Sequence, residues 1–239
     1  MKNTMIVTGA ALAAAVASLA FGDVQTAPTL SFGLGIGGSQ FGWQDSSGAQ
    51  GASSMWEYKN GQSFDQGGMV YALEVDPDPY IGFSFEFFNN TASTQLFSVT
   101  MTLPVGFWNQ GSLIGASIGG SVTDANFDGV GVLSSAGGPI FDGKVDGSTQ
   151  LTLFNDPFSV SVPFFGATAT LGPETAGLPG PSIAGPGLVT TDMSITLTFS
   201  LTAGDRASFT GIFVMQYIPA PAGVLALAGL VGLRRRRTA

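Results

Sequence analysis

Ile81-Gly82-Phe83-Ser84-Phe85-Glu86-Phe87 alternates large apolar residues with small or polar ones and never breaks step. A period of two sets Ile81, Phe83, Phe85 and Phe87 on one face of a strand, where a helix would scatter them around its circumference. The same beat holds on either side. Met69, Tyr71, Leu73 and Val75 precede it; Phe97, Val99, Met101 and Leu103 come after it. Ile195, Leu197, Phe199 and Leu201 repeat it against serine and threonine, and Phe209, Gly211, Phe213 and Met215 close the series. Each run reads as a strand with one buried and one wet face, the pattern of an antiparallel sheet. Shorter candidates lie at residues 113–122, 150–154 and 158–162.

Turn chemistry separates these runs at Asp76-Pro77-Asp78-Pro79, Asn89-Asn90, Trp108-Asn109-Gln110-Gly111 and Asp142-Gly143. Residues 33–68, rich in Gly, Ser and Gln, read as ordered loop with short strands. Residues 172–187, with four prolines and five glycines, read as a surface loop. Eight or so strands with polar outer faces predict an all-β fold: an antiparallel two-sheet β-sandwich, jelly-roll-like.

Composition narrows the chemistry. Charged residues make up 10% of the chain, against about 25% in ordinary globular proteins. There is no cysteine and no histidine. Disulfide staples, Ser-His-Asp and Cys-His catalysis and imidazole metal ligands are therefore excluded. All 16 Asp and Glu residues lie between positions 23 and 205, opposed there by Lys59, Lys144 and Arg206, which leaves −13 on residues 23–217. Nucleic acid and anionic membrane surfaces are poor partners for such a body, whereas divalent cations and neutral glycans suit it.

The two ends carry different signals. Met1-Lys2 and the uncharged run from Met5 to Ala20, ending in small residues at Ser18, Ala20 and Gly22, form a signal-peptide pattern over residues 1–22. At the other end, Pro219-Ala220-Pro221 precedes twelve apolar or glycine residues, Ala222 to Leu233, and then Arg234, Arg235, Arg236 and Arg237. As a helix those twelve residues would reach about 18 Å, short of the ~30 Å hydrocarbon core. The arginine block sets the C-terminus in the cytoplasm and everything before it outside. The chain thus divides into a signal peptide (1–22), an extracellular β-sandwich (23–217) and a tail with a hydrophobic helix (218–239).

The Pro-x-Pro frame, apolar run and terminal arginine cluster resemble the PEP-CTERM sorting signal of Gram-negative bacteria, although Ala220 stands where the family name has Glu. The resemblance covers the last 22 residues. It implies export, handling by an exosortase-type membrane enzyme, and a place in the envelope of a cell that makes exopolysaccharide.

Three groups of residues are candidates for chemistry within the body. Asp124-Ala125-Asn126-Phe127-Asp128-Gly129 sets oxygen ligands at alternate positions and a glycine for the turn, the opening of a calcium loop. Ser135 stands where the bidentate acid of such a loop belongs, so Asp124, Asn126 and Asp128 would make a weak calcium site. Trp43, Trp56 and Trp108 could stack on sugar rings or fill the core. Paired carboxylates could run glycoside hydrolysis, though the pattern singles out no pair. The expected role is structural or adhesive and non-enzymatic, at the cell surface or in an extracellular polysaccharide matrix. A carbohydrate-binding module for exopolysaccharide and a carboxylate-based glycan-active enzyme are the alternatives.

Overall fold

The computed structural model describes residues 26–51 and 55–218. The expected signal peptide and the sorting residues Pro219, Ala220, Pro221 and Arg234 to Arg237 lie outside the described residues. Sixteen strands and no helix make up the described chain. Hairpin β1 (Leu30–Ile36) and β2 (Ser39–Asp45) turns at Gly37-Gly38, both at positive φ. Short β3 (Ala49–Gln50) leads to a meander of β4 (Trp56–Phe64), β5 (Gly67–Asp76) and β6 (Tyr80–Asn89). Then come β7 (Gln95–Pro104), β8 (Ser112–Thr123), β9 (Val132–Ser134), β10 (Phe141–Val145) and β11 (Ser148–Leu153). Finally β12 (Ser159–Ser161), β13 (Thr168–Ala176) and β14 (Ile183–Ala184) precede the long β15 (Asp192–Leu201) and β16 (Arg206–Tyr217).

The long strands pair in a nested order, all antiparallel: β6 with β16, β7 with β15, β8 with β13 and β10 with β11. The first sheet runs β2-β1-β7-β15-β10-β11, and the second β3-β4-β5-β6-β16-β8-β13. They pack face to face through aromatic rings. Phe87 of the second sheet meets Phe97 and Phe199 of the first at 5.9 and 5.0 Å. Phe141 of the first sheet meets Phe83 and Phe213 of the second at 6.1 and 6.2 Å. The odd-numbered apolar residues of the alternating runs supply this core, as their periodicity requires. Their even-numbered partners face out, where hydroxyls pair across strands: Thr100 with Thr196 at 3.0 Å and Ser121 with Ser208 at 2.8 Å.

Three readings of the sequence need correction. Residues 33–68 are not mostly loop, because β1, β2 and β4 occupy most of that stretch. Glycines at 33, 35, 42 and 61 sit on the outer beat of those strands and hide an alternation that Leu30, Phe32, Leu34 and Ile36 keep on the inner one. The loop at 172–187 begins late, since β13 stays paired to β8 as far as Ala176 by taking up Gly172-Pro173 as an irregularity. Asp142-Gly143 is no turn. It lies inside β10, and the chain reverses at Asp146-Gly147, both at positive φ.

With no disulfides, polar side chains tie the loops down. The Asn89 amide reaches the carbonyls of Ser93, Leu201 and Thr202 at 2.9, 3.1 and 2.9 Å. The Asp146 carboxylate accepts the N–H groups of Thr190, Thr191 and Asp192. Burial pushes the Asp146 carboxyl up, but these bonds outweigh it and bring its pKa down to about 2.

Candidate functional site

Strands β4, β5, β6 and β16 lie side by side in the second sheet, so their outward residues form one surface about 14 Å across. Its centre is a hollow of about 330 Å³, floored by Ala72, Gly82 and Ser84 and rimmed by Glu57, Lys59, Glu74, Tyr80, Thr210 and Ile212. The floor is low because these positions carry small side chains or none. Gly82 matters most: a Cβ there would lie 2.8 Å from the Tyr80 hydroxyl, so its absence lets the ring lie across the sheet. Burial raises the pKa of that phenol, and the charge on Glu74 adds to the shift. A second hollow of about 380 Å³ continues the trough past Lys59 and Ser84 towards Val70 and Glu86.

Glu57 and Glu74 stand directly opposite one another in the β4–β5 register. Like charges in that relation destabilise a sheet, and Lys59, two residues along, offsets part of the cost. A local rule broken on the rim of a concave surface is what a functional site looks like. The sequence concealed this pair. Glu74 was visible as an outward residue of its run, but Glu57 lay in the stretch read as loop, so no register linked the two.

The calcium-loop residues lie elsewhere, at the end of the sandwich where β8 leaves the second sheet. Asp124 is 1% exposed, and its carboxylate accepts N–H groups from Asp128, Gly129 and Gly166 at 3.3, 2.9 and 3.0 Å. Burial pushes its carboxyl up, but the backbone bonds together hold it below the ordinary value. Asn126 accepts the Asp128 N–H at 3.0 Å, and Asp128 accepts that of Val130 at 2.8 Å. The structure therefore brings all three predicted ligands together, yet turns their oxygens onto backbone N–H groups of the loop and of Gly166. Nearby Asp205 is fully buried, and burial, then the charges of Asp124 and Asp128, raise its pKa. Calcium would have to draw these oxygens off their N–H donors. We expect calcium and magnesium at matched ionic strength to raise the unfolding midpoint equally, in wild type and Asp128→Ala alike. A calcium-specific rise lost in Asp128→Ala would instead show that the loop opens around the ion.

The three tryptophans serve differently. Trp56 is buried, and Trp43 stacks on Phe32 at 5.0 Å against the core. Trp108 is half-buried beside Tyr217, the last residue of β16, at 5.9 Å. None lines the trough, where Tyr80 lies on the rim. No family model matches the chain, and no curated protein matches it. The site therefore has to be read from its own chemistry: an open trough with a largely apolar floor, carboxylates on its rim and the Tyr80 ring on its edge.

Proposed function

We propose that this chain is an exported surface or matrix protein whose β body holds extracellular polysaccharide, an adhesive role without catalysis. The observation that carries the reading is the trough across β4, β5, β6 and β16. Its width, its floor of small residues and its rim of carboxylates, amine and hydroxyls suit an extended, hydroxyl-rich, uncharged chain, with Tyr80 placed to cover a sugar face. The −13 body disfavours polyanions. The nested strand pairing supports a jelly-roll arrangement, an architecture that also serves lectin domains, although that likeness is one of fold alone. Export is supported by the signal-peptide pattern. The apolar run and arginine block support a first attachment to the membrane with the arginines in the cytoplasm, and their likeness to PEP-CTERM supports an exosortase-type enzyme as processing partner.

The test is binding of neutral extracellular polysaccharide fragments by calorimetry. Tyr80→Ala and Glu74→Gln should each weaken binding about tenfold, a loss of roughly 1.4 kcal/mol. Thr198→Ala, on the other sheet, should leave it unchanged. Glu74→Gln should also raise stability slightly, by about 0.2–1 kcal/mol, because it relieves the opposed charges. Unchanged affinity in both trough variants would refute the assignment. The opposed Glu57 and Glu74 favour one second reading, a glycan hydrolase using the two as acid and partner carboxylate. Release of reducing ends by wild type, abolished in Glu74→Gln, would establish it in place of simple binding.

A further inference from the structure

The described chain leaves the sandwich at Ile218, and the surface around that exit sets exposed aromatic and apolar side chains beside the polar Asn109 and Gln110. Phe107 is 68% exposed, Leu188 52%, Tyr217 49% and Ile218 47%. Half-buried Trp108 lies edge-on to Tyr217. These residues come from three separate segments that the backbone locks together. Trp108 and Val189 exchange both N–H···O bonds at 2.9 Å, and the Ile218 N–H donates to Gly111 O at 2.7 Å. Such a built patch, rather than scattered single residues, calls for a partner.

The residues after Ile218 name that partner. Only Pro219, Ala220 and Pro221 separate it from the apolar run that opens at Ala222. Four residue steps span at most about 14 Å, and the polar headgroup layer is itself roughly 5–8 Å deep. A bilayer that takes up Ala222 to Leu233 must therefore lie against this end of the sandwich. That run reaches only about 18 Å of a ~30 Å hydrocarbon core, so apolar surface supplied by the body would add to a short anchor. Tryptophan and tyrosine are the side chains suited to the headgroup level, with an apolar ring and a polar edge.

We propose that Phe107, Trp108, Leu188, Tyr217 and Ile218 form a face that rests on the outer surface of the lipid bilayer while the tail is inserted. The proposal rests on the reading of residues 222–233 as a membrane anchor. Asp78 borders the hollow between Trp108 and Tyr217, and Asp76 lies in the same turn, so the fitting surface is zwitterionic rather than anionic. The opposite end makes an internal control. Phe127 and Phe165, on the loops that Asp124 ties together, are 69% and 68% exposed but sit at the ends of strands pointing away from Ile218.

The experiment reconstitutes the full chain into phosphatidylcholine vesicles with bromine on the upper acyl chain, a short-range quencher of tryptophan fluorescence. Wild type should lose emission relative to unbrominated vesicles, and Trp108→Phe should lose that difference. Adding Phe165→Trp to Trp108→Phe should not restore it. Equal quenching in wild type and Trp108→Phe, or recovery through position 165, would overturn the proposal while leaving the anchor intact. Release of the chain from vesicles by alkaline carbonate would remove the anchor reading itself, and the proposal with it.

Discussion

Phe87→Ala is expected to lower the free energy of unfolding by about 3–5 kcal/mol, a large part of the stability of a domain of this size. The ring is fully buried and meets Phe97, Phe199 and Phe209 within 5.0 to 6.1 Å. Two of those rings belong to the facing sheet, so the cavity would open at the seam between the sheets, where neither can close it by a local shift. Thr198→Ala gives the contrast. Its hydroxyl lies on the outer face, 3.5 Å from Ser98, and its loss should cost no more than about 0.5 kcal/mol. Urea unfolding of both variants reads the difference as a midpoint shift at constant slope. Equal shifts would mean that the inner and outer faces of these strands have been exchanged.

Asn89→Ala is the second large effect, about 1–3 kcal/mol, the cost of leaving a buried polar group without its partner. Asn89 ends β6 in the second sheet, while two of its three carbonyl partners, Leu201 and Thr202, lie at the end of β15 in the first and just beyond it. Its side-chain oxygen Oδ1 accepts the N–H and hydroxyl of Thr91 at 3.0 and 2.8 Å, which shapes the turn into β7. Asn89→Asp should be worse than Asn89→Ala at neutral pH, because it sets a carboxylate against carbonyl oxygens and removes the donor. The gap should narrow as acid protonates that carboxyl. A gap independent of pH would show that the amide is not the group holding the loop.

The long strands were legible in the sequence because their inner residues are large and their outer ones small or polar, so periodicity alone separates the faces. It failed in β1, where glycines at 33 and 35 stand on the outer beat, in β4, where Asn60 and Gln62 replace apolar residues on the inner one, and in the five-residue β10. The turn at Asp146-Gly147 was missed for a related reason: Asp142-Gly143, four residues earlier, carries the same dipeptide signal, and only pairing tells them apart. The calcium-type spacing brought Asp124, Asn126 and Asp128 together, but no spacing rule says whether oxygens face an ion or the backbone. The trough was the least legible feature. It arises from register between four strands and from the missing side chain at Gly82, and the register is not visible along a single strand.

The proposed role in binding polysaccharide stands or falls with the outer face of β4, β5, β6 and β16. Backbone hydrogen exchange of the protein, with and without neutral polysaccharide fragments, reads that face strand by strand. Added protection is expected over residues 57–59, 72–74, 80–84 and 210–212, and it should be absent in Tyr80→Ala. Protection confined to the Thr100–Thr196 face of the first sheet, or none anywhere, would refute the role.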